Sequence, residues 1–276
     1  MKFTKMQGAG NDFIIVDNRL EKIKKDQMGG IARKLCQRRM SVGADGVMFL
    51  ESGAGKGADV DMLFYNADGN AGEMCGNGAR CVSRFAYEHG FSKGKKQYIA
   101  TPAGMVVGER IDETSYRIRL NDISVVKDAQ PVEFRGTIYL CDYMEMGDPG
   151  LPHVALEIQG LKSIDKESLR PLGEYLRHYF PKGANVDFYE LLADGTVELI
   201  TYERYVEDFT FACGTGTGCV VSDLLRSGRV DAMDTKVHVP GGELSVTIEG
   251  GSAFPLKGIY LTGPTLVVYE GETQLF

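Results

Sequence analysis

The chain has 276 residues, 43% hydrophobic and 25% charged, which suits one large folded domain or two of ordinary size and is the composition of a globular protein. A net charge of −7 with dispersed Lys and Arg excludes a nucleic-acid surface, which needs clustered cations. No apolar run approaches the roughly 20 residues of a membrane span, and no apolar segment follows the charges of the opening MKFTKMQGAG, so a cytoplasmic protein without membrane contact is expected.

In chain order, alternating or continuous apolar runs predict strands at Phe13–Val16, Val47–Leu50 and Asp61–Tyr65, with Ala67-Asp68-Gly69 as a turn. A helix follows over Ala79–Glu88: Ala79, Val82, Phe85 and Ala86 recur at spacings of three and four, and Gly90 stands where a C-terminal cap belongs. Strands are predicted next at Tyr116–Leu120, Val154–Ile158, Val186–Tyr189 and Val197–Tyr202. A second helix covers Gly218–Arg226, with Val220, Val221, Leu224 and Leu225 on one face before Gly228. Strands at Leu244–Ile248 and Leu266–Tyr269 complete the set. Many strands with one strong helix per half predict an α+β fold in which a sheet wraps a central helix.

The six cysteines are at 36, 75, 81, 141, 213 and 219. No export is expected from the opening residues, so thiols are expected rather than a disulfide framework. There is no C-x-x-C pair, and histidines 89, 153, 178 and 238 are scattered, so no metal site is expected.

One pattern occurs twice: Cys75-Gly-Asn-Gly, then Ala-Arg-Cys-Val-Ser, and Cys213-Gly-Thr-Gly, then Thr-Gly-Cys-Val-Val-Ser. The two lead cysteines lie 138 positions apart, half the chain. This implies duplication into two like domains, with a boundary near Asn121–Gln130. The expected halves are residues 1–122, which carry Cys75, and 123–262, which carry Cys213.

A cysteine before Gly-x-Gly at a helix start sits beside backbone N–H groups and the positive end of the helix dipole, which favours thiolate and also cradles an anion. Two such sites suggest chemistry narrower than a single nucleophile. Racemisation at an amino-acid α-carbon needs a thiolate to take the proton from one face and a thiol to return one to the other, with N–H donors on the carboxylate. The expectation is that the two sulfurs meet across one crevice. The cysteines at 81 and 219, inside the helices, and at 36 and 141 read as small buried hydrophobes.

Glycine-rich turns also suggest nucleotides, but GTGTGC at Gly214 lacks the third glycine of G-x-G-x-x-G, and Gly53-Ala-Gly-Lys-Gly lacks phosphate-loop spacing. No motif singles out a Schiff-base lysine for pyridoxal phosphate. No cofactor is expected.

The chain resembles the diaminopimelate epimerase family nearly end to end. The resemblance is carried by KMQGAGNDF (Lys5–Phe13), SVGADG (Ser41–Gly46), YNADGNAGEMCGNGARC (Tyr65–Cys81), ANVDF (Ala184–Phe188), YER (Tyr202–Arg204), ACGTG (Ala212–Gly216), PGG (Pro240–Gly242) and LTGP (Leu261–Pro264). It implies two similar pseudo-symmetric domains, each a β-barrel-like sheet around a helix, with the last strand, 263–276, returning to the first. It implies a homodimer that interconverts LL- and meso-diaminopimelate without cofactor or metal, in lysine and peptidoglycan synthesis. By position it implies Cys75 and Cys213 as acid and base. Gly76, Asn77, Gly214 and Thr215 would supply N–H groups for the reacting carboxylate. Asn11, Asn66, Asn185, Glu203 and Arg204 would grip the substrate, the last two suiting a remote ammonium and carboxylate.

Two stretches depart from the family. Gly147-Asp148-Pro149-Gly150-Leu151-Pro152-His153 stands where the family has Gly-Asn-Pro-His, leaving His153 as an auxiliary residue able to tune a thiol or as a structural histidine. Tyr205-Val-Glu-Asp-Phe-Thr replaces a shorter glycine-rich stretch. These changes keep the same chemistry on another amino acid (histidine, lanthionine or a different diamino acid) as an alternative. A non-catalytic amino-acid-binding protein is a third reading.

Overall fold

The computed structural model describes residues 1–72 and 74–274. Glu73, inside the first cysteine run, and the last two positions of the expected returning strand lie outside the described residues. The chain divides into two compact units, Met1–Ile118 with Gly263–Phe276, and Arg119–Thr262.

The first unit opens with antiparallel strands β1 (Lys2–Gly8) and β2 (Asn11–Asp17). Helices α1 (Asn18–Glu21) and α2 (Lys25–Leu35) then carry the chain to β3 (Gly46–Ser52), parallel to β2. Antiparallel β4 (Val60–Asn66) and short β5 (Ala71–Gly72) lead into α3 (Gly76–Glu88). Strand β6 (Lys96–Thr101) returns parallel to β4, followed by β7 (Gly104–Arg110) and β8 (Ser115–Arg119).

The second unit repeats this order. The hairpin β9 (Ile123–Phe134) and β10 (Thr137–Met146) continues into β11 (Leu151–Glu157), and α4 (Lys166–Tyr179) crosses to β12 (Asn185–Leu191), parallel to β11. Strands β13 (Val197–Glu203) and β14 (Asp208–Phe209) precede α5 (Gly214–Arg226). Strand β15 (Thr235–Val239) runs parallel to β13, and β16 (Gly242–Ile248) and β17 (Ile259–Pro264) follow. The last strand, β18 (Leu266–Glu272), pairs antiparallel with β1, the place that β9 takes beside β10. The fold is α+β, mixed sheet around a helix, twice.

Helix α3 packs on β1, β2, β6 and β7, and α5 on β10, β11, β12 and β16. Both helices begin three or four residues before the apolar periodicity, because the Gly-rich turn after each cysteine is itself the first helical turn. They end as the sequence indicates: Gly90 and Gly228 both adopt φ of +71°, the left-handed geometry in which glycine carries no Cβ penalty.

Each half also holds a further long helix beside the strong one that the periodicity marks. Helix α2 buries Met28, Ile31, Ala32 and Leu35 at helical spacing. Its pattern is masked by Gly29-Gly30, and a Cβ on Gly29 would come within 2.6 Å of the Gly69 carbonyl oxygen, so close approach to that turn excludes a better helix former. Helix α4 buries Leu172 and Leu176 although Pro171 and Gly173 interrupt it. Tertiary packing, with Gly173 against the Tyr202 ring, overrides propensity there.

Candidate active site

In the second unit the site grows from register. In the parallel β11–β12 pair, His153 stands opposite Asn185, and in the antiparallel β12–β13 pair Asp187 stands opposite Thr201. Side chains two apart share a sheet face, so His153, Asn185, Asp187, Thr201 and Glu203 form one polar face beside the start of α5.

Their hydrogen bonds run as a chain. Thr201 donates its hydroxyl to Asp187 Oδ1 at 2.7 Å, and Asp187 Oδ2 lies 2.7 Å from His153 Nδ1. His153 Nε2 is 3.0 Å from the Thr215 hydroxyl, which is 3.4 Å from Cys213 Sγ. His153 and Asp187 are fully buried. Asn185 places its amide nitrogen 3.3 Å from His153 Nε2 and accepts the Arg204 N–H at 2.8 Å. Arg204 in turn donates to the Lys182 carbonyl and stacks over the Tyr205 ring.

Cys213 caps α5: its sulfur accepts the Gly216 N–H at 3.4 Å, and only 6% of the residue is exposed. Burial pushes the thiol well above its ordinary pKa, and the neighbouring Glu203 and Asp187 carboxylates push it the same way. Glu203 is itself raised by burial, with the Cys213 thiol and Thr210 hydroxyl beside it pulling the other way. A Cβ on Gly216 would fall 2.2 Å from Asp187 Oδ1, so glycine there lets the helix start close on the carboxylate.

In the first unit Cys75 caps α3 in extended geometry and is half-buried. Asn77, in the first turn, donates to Asn11 Oδ1, and Asn11 donates to Asp45 Oδ2 at 3.1 Å. Asp45 belongs to an ionic cluster: Arg38 bonds both Asp12 and Asp45, and buried Lys5 pairs with Asp12 at 2.7 Å. The N–H groups ahead of the first helix-internal bonds, Ala79 N–H to the Cys75 carbonyl and Thr217 N–H to the Cys213 carbonyl, give each helix start an anion-attracting face.

This duplicated sheet-and-helix order, with a matched cysteine at each helix start, corresponds to a family pattern: the model described as diaminopimelate epimerase matches residues 3–125 and 147–267. The chain belongs to the diaminopimelate epimerase family. It is 33% identical over 288 residues to a diaminopimelate epimerase from Pelotomaculum thermopropionicum, covering 99% of this chain and 98% of that one. It is 36% identical over 276 residues to one from Chlorobaculum tepidum, covering 98% and 100%. Among solved structures, it shares its fold with a phenazine biosynthesis protein of the PhzF family from Bacillus anthracis (TM-score 0.76, 16% identity, 100% of this chain and 99% of that one). It likewise resembles a probable proline racemase from Agrobacterium radiobacter (TM-score 0.74, 17% identity, 100% and 93%).

The structure gathers Cys213, His153, Asn185, Glu203, Arg204, Gly214 and Thr215 at the start of α5, and Cys75, Asn11, Gly76 and Asn77 at the start of α3. Asn66 is exposed at the end of β4, and its amide bonds the Asn70 carbonyl within its own turn. Asp187 and Asp45 bond these candidate residues and Thr201 bonds Asp187, and the sequence did not single them out. Asp187 was visible only as the D of ANVDF, and its partner lies 34 positions away. Both departing stretches are placed: Asp148 is exposed in the β10–β11 turn, and Tyr205 and Glu207 take left-handed φ of 73° and 55°. The latter turn is pinned by Glu207 bonding Arg177 and the Tyr205 N–H.

The remaining cysteines are buried thiols, with 36, 81 and 141 pushed up to about 12 by burial. Among the described residues, Asp128, Asp142 and Asp223 bring metal-type ligand atoms together, but Arg226 already bonds Asp128 and Asp223.

Proposed function

We propose that this protein is an isomerase that interconverts LL- and meso-diaminopimelate, with Cys75 and Cys213 as the acid and base pair. A thiolate takes the α-proton, the carbanion's charge spreads into the carboxylate held by helix-start N–H groups, and a thiol delivers a proton to the opposite face. The cysteines end with protonation exchanged, so the reaction consumes nothing and needs no added cofactor.

The observation that carries this reading is the repeated helix-start cysteine, once in each half of a chain that belongs to the epimerase family. Membership over nearly the whole length, with relatives named diaminopimelate epimerase at 31–36% identity, favours this substrate over another amino acid and over mere binding.

In this reading the halves are residues 1–122 with the returning strand 263–276, and 123–262. Gly76, Asn77, Gly214 and Thr215 hold the reacting carboxylate, while Asn11, Asn66, Asn185, Glu203 and Arg204 orient the rest, Glu203 and Arg204 at the distal zwitterion. His153 stands behind Cys213 through Thr215. The enzyme acts in the cytoplasm as a homodimer, in lysine and peptidoglycan precursor synthesis. No helix among the described residues is long and apolar enough to cross a membrane. The test is chromatographic: reduced protein alone should convert LL-diaminopimelate to a mixture with the meso isomer, and no conversion with reduced, folded protein rejects the assignment.

A further inference from the structure

The two cysteines sit in oppositely polarised surroundings. Phe13 stands opposite Gly46 in β2–β3 as His153 stands opposite Asn185 in β11–β12, and Met48 pairs with Phe64 as Asp187 pairs with Thr201. The positions that hold His153, Asp187 and Thr201 behind Cys213 therefore hold Phe13, Met48 and Phe64 behind Cys75. A Cβ on Gly78 would meet Met48, whereas one on Gly216 would meet Asp187.

The charge in the first unit comes from the helix. Arg80 lies five residues after Cys75, where α5 has Gly218. It is fully buried, and among the described residues Nε, Nη1 and Nη2 have no hydrogen-bond partner. A guanidinium stays protonated in proteins, so this is a buried positive charge with no partner among the described residues. Helical side chains lean toward the N-terminus. The guanidinium accordingly lies beside the first turn of α3: the Cβ position of Gly8 is 3.5 Å from Arg80 Nη2 and 3.0 Å from the Asn77 carbonyl oxygen.

Among the described residues, the other charged side chains on the elements around α3 are paired elsewhere or exposed. Lys5 of β1 pairs with Asp12 of β2, which Arg38 also bonds. Lys96 of β6 is exposed, Glu109 of β7 pairs with Arg117, and Arg110 lies over Tyr87. On α3 itself Arg84 bonds Glu88 and the Thr265 carbonyl, which among the described residues leaves the thiols of Cys81 and Cys75 facing Arg80. Cys81 is driven toward the neutral thiol by burial. Cys75, half-buried at the helix start, is the group on which the charge can act.

We propose that Arg80 is a positioning residue whose buried charge favours the thiolate at Cys75, so that the resting protein carries its base at Cys75 and its acid at Cys213. This rests on the two-thiol reading above. An unpaired buried cation costs stability, so its replacement by an apolar side chain of similar length leaves the fold as stable or more so while weakening the thiolate.

The test is the pH dependence of iodoacetamide alkylation at Cys75, read by peptide mass spectrometry on the full chain under reductant, in wild type, Arg80→Met and Arg80→Lys. In wild type the Cys75 profile should fall below the ordinary cysteine value of about 8.5. Arg80→Met should move it up by about one unit, a tenfold lower rate near neutrality, with melting temperature unchanged or raised; Arg80→Lys should restore most of the shift. A wild-type profile at or above the ordinary value overturns the proposal even if Arg80→Met fails to fold, and so does an Arg80→Met profile identical to wild type. Alkylation reads the thiol directly, so this result stands apart from whether diaminopimelate is converted.

Discussion

His153 Nδ1 lies 2.7 Å from Asp187 Oδ2, with both side chains fully buried, and the opposite ring nitrogen points at Thr215 beside Cys213. The carboxylate fixes the ring's orientation and favours a proton on Nδ1. Asp187→Asn keeps the shape and removes the charge. A hydrogen bond to a charged group contributes roughly 1.5–3 kcal/mol, so kcat should fall about tenfold to a hundredfold with KM less affected. Steady-state kinetics decide, and an unchanged kcat would show that the Asp187–His153 pair only supports the fold.

The hydroxyl of Thr215 is the link between that ring and the sulfur. Thr215→Ser should retain most activity, whereas Thr215→Val, similar in volume but without the hydroxyl, should lose it about as far as Asp187→Asn does. The double variant Asp187→Asn/Thr215→Val should lose less than the two singles added together, because residues in one hydrogen-bonded chain couple.

Gly78 and Gly216 occupy the same place in the two helices yet should respond differently to alanine. At Gly78 the clash is with Met48 Cε, the far end of a flexible side chain, whereas at Gly216 it is with a carboxylate held by His153 and Thr201. Overpacking costs about 1–3 kcal/mol when neighbours cannot give. Gly216→Ala should lower the melting temperature clearly and Gly78→Ala only slightly; equal losses would contradict the register described here.

Two carboxyls should tilt stability with pH in opposite senses. Burial raises Glu203, so the folded state holds its proton more tightly than the unfolded chain, whose Glu titrates near about 4.3. Its contribution is fully present below that value and is lost as pH rises through the folded pKa. Glu203→Gln should therefore become more stable relative to wild type on going from pH 4 to 7. Asp12 is raised by burial alone, but its bonds to Arg38 and Lys5 outweigh that and hold it below the ordinary range. Its contribution is present above about pH 3.9 and is lost as pH falls through the folded pKa, so Asp12→Asn should flatten the acid limb of the melting curve. Melting temperatures across pH 2.5–7.5 test both signs.

The helix-start cysteines were legible because local rules coincide there: glycine turn, helical period and left-handed glycine cap act within a dozen residues. The remainder of the site depends on strand register, which the sequence does not display. His153 read as a solitary histidine because Asp187 reaches it through a parallel pair whose crossover contains the whole of α4. Helix α2 was hidden by two glycines, one needed for contact with Gly69, and α4 by Pro171. Arg80 was visible in the sequence, but only its burial, with no partner among the described residues, separates it from an ordinary surface arginine.

The most direct test of the two-thiol mechanism is incorporation of α-deuterium into LL-diaminopimelate in deuterated water, with reductant and nothing else added, for wild type, Cys75→Ala and Cys213→Ala. The account predicts rapid exchange and epimerisation by wild type, and loss of epimerisation in both variants. Undiminished epimerisation by either variant, or no exchange by the folded wild type, would contradict it.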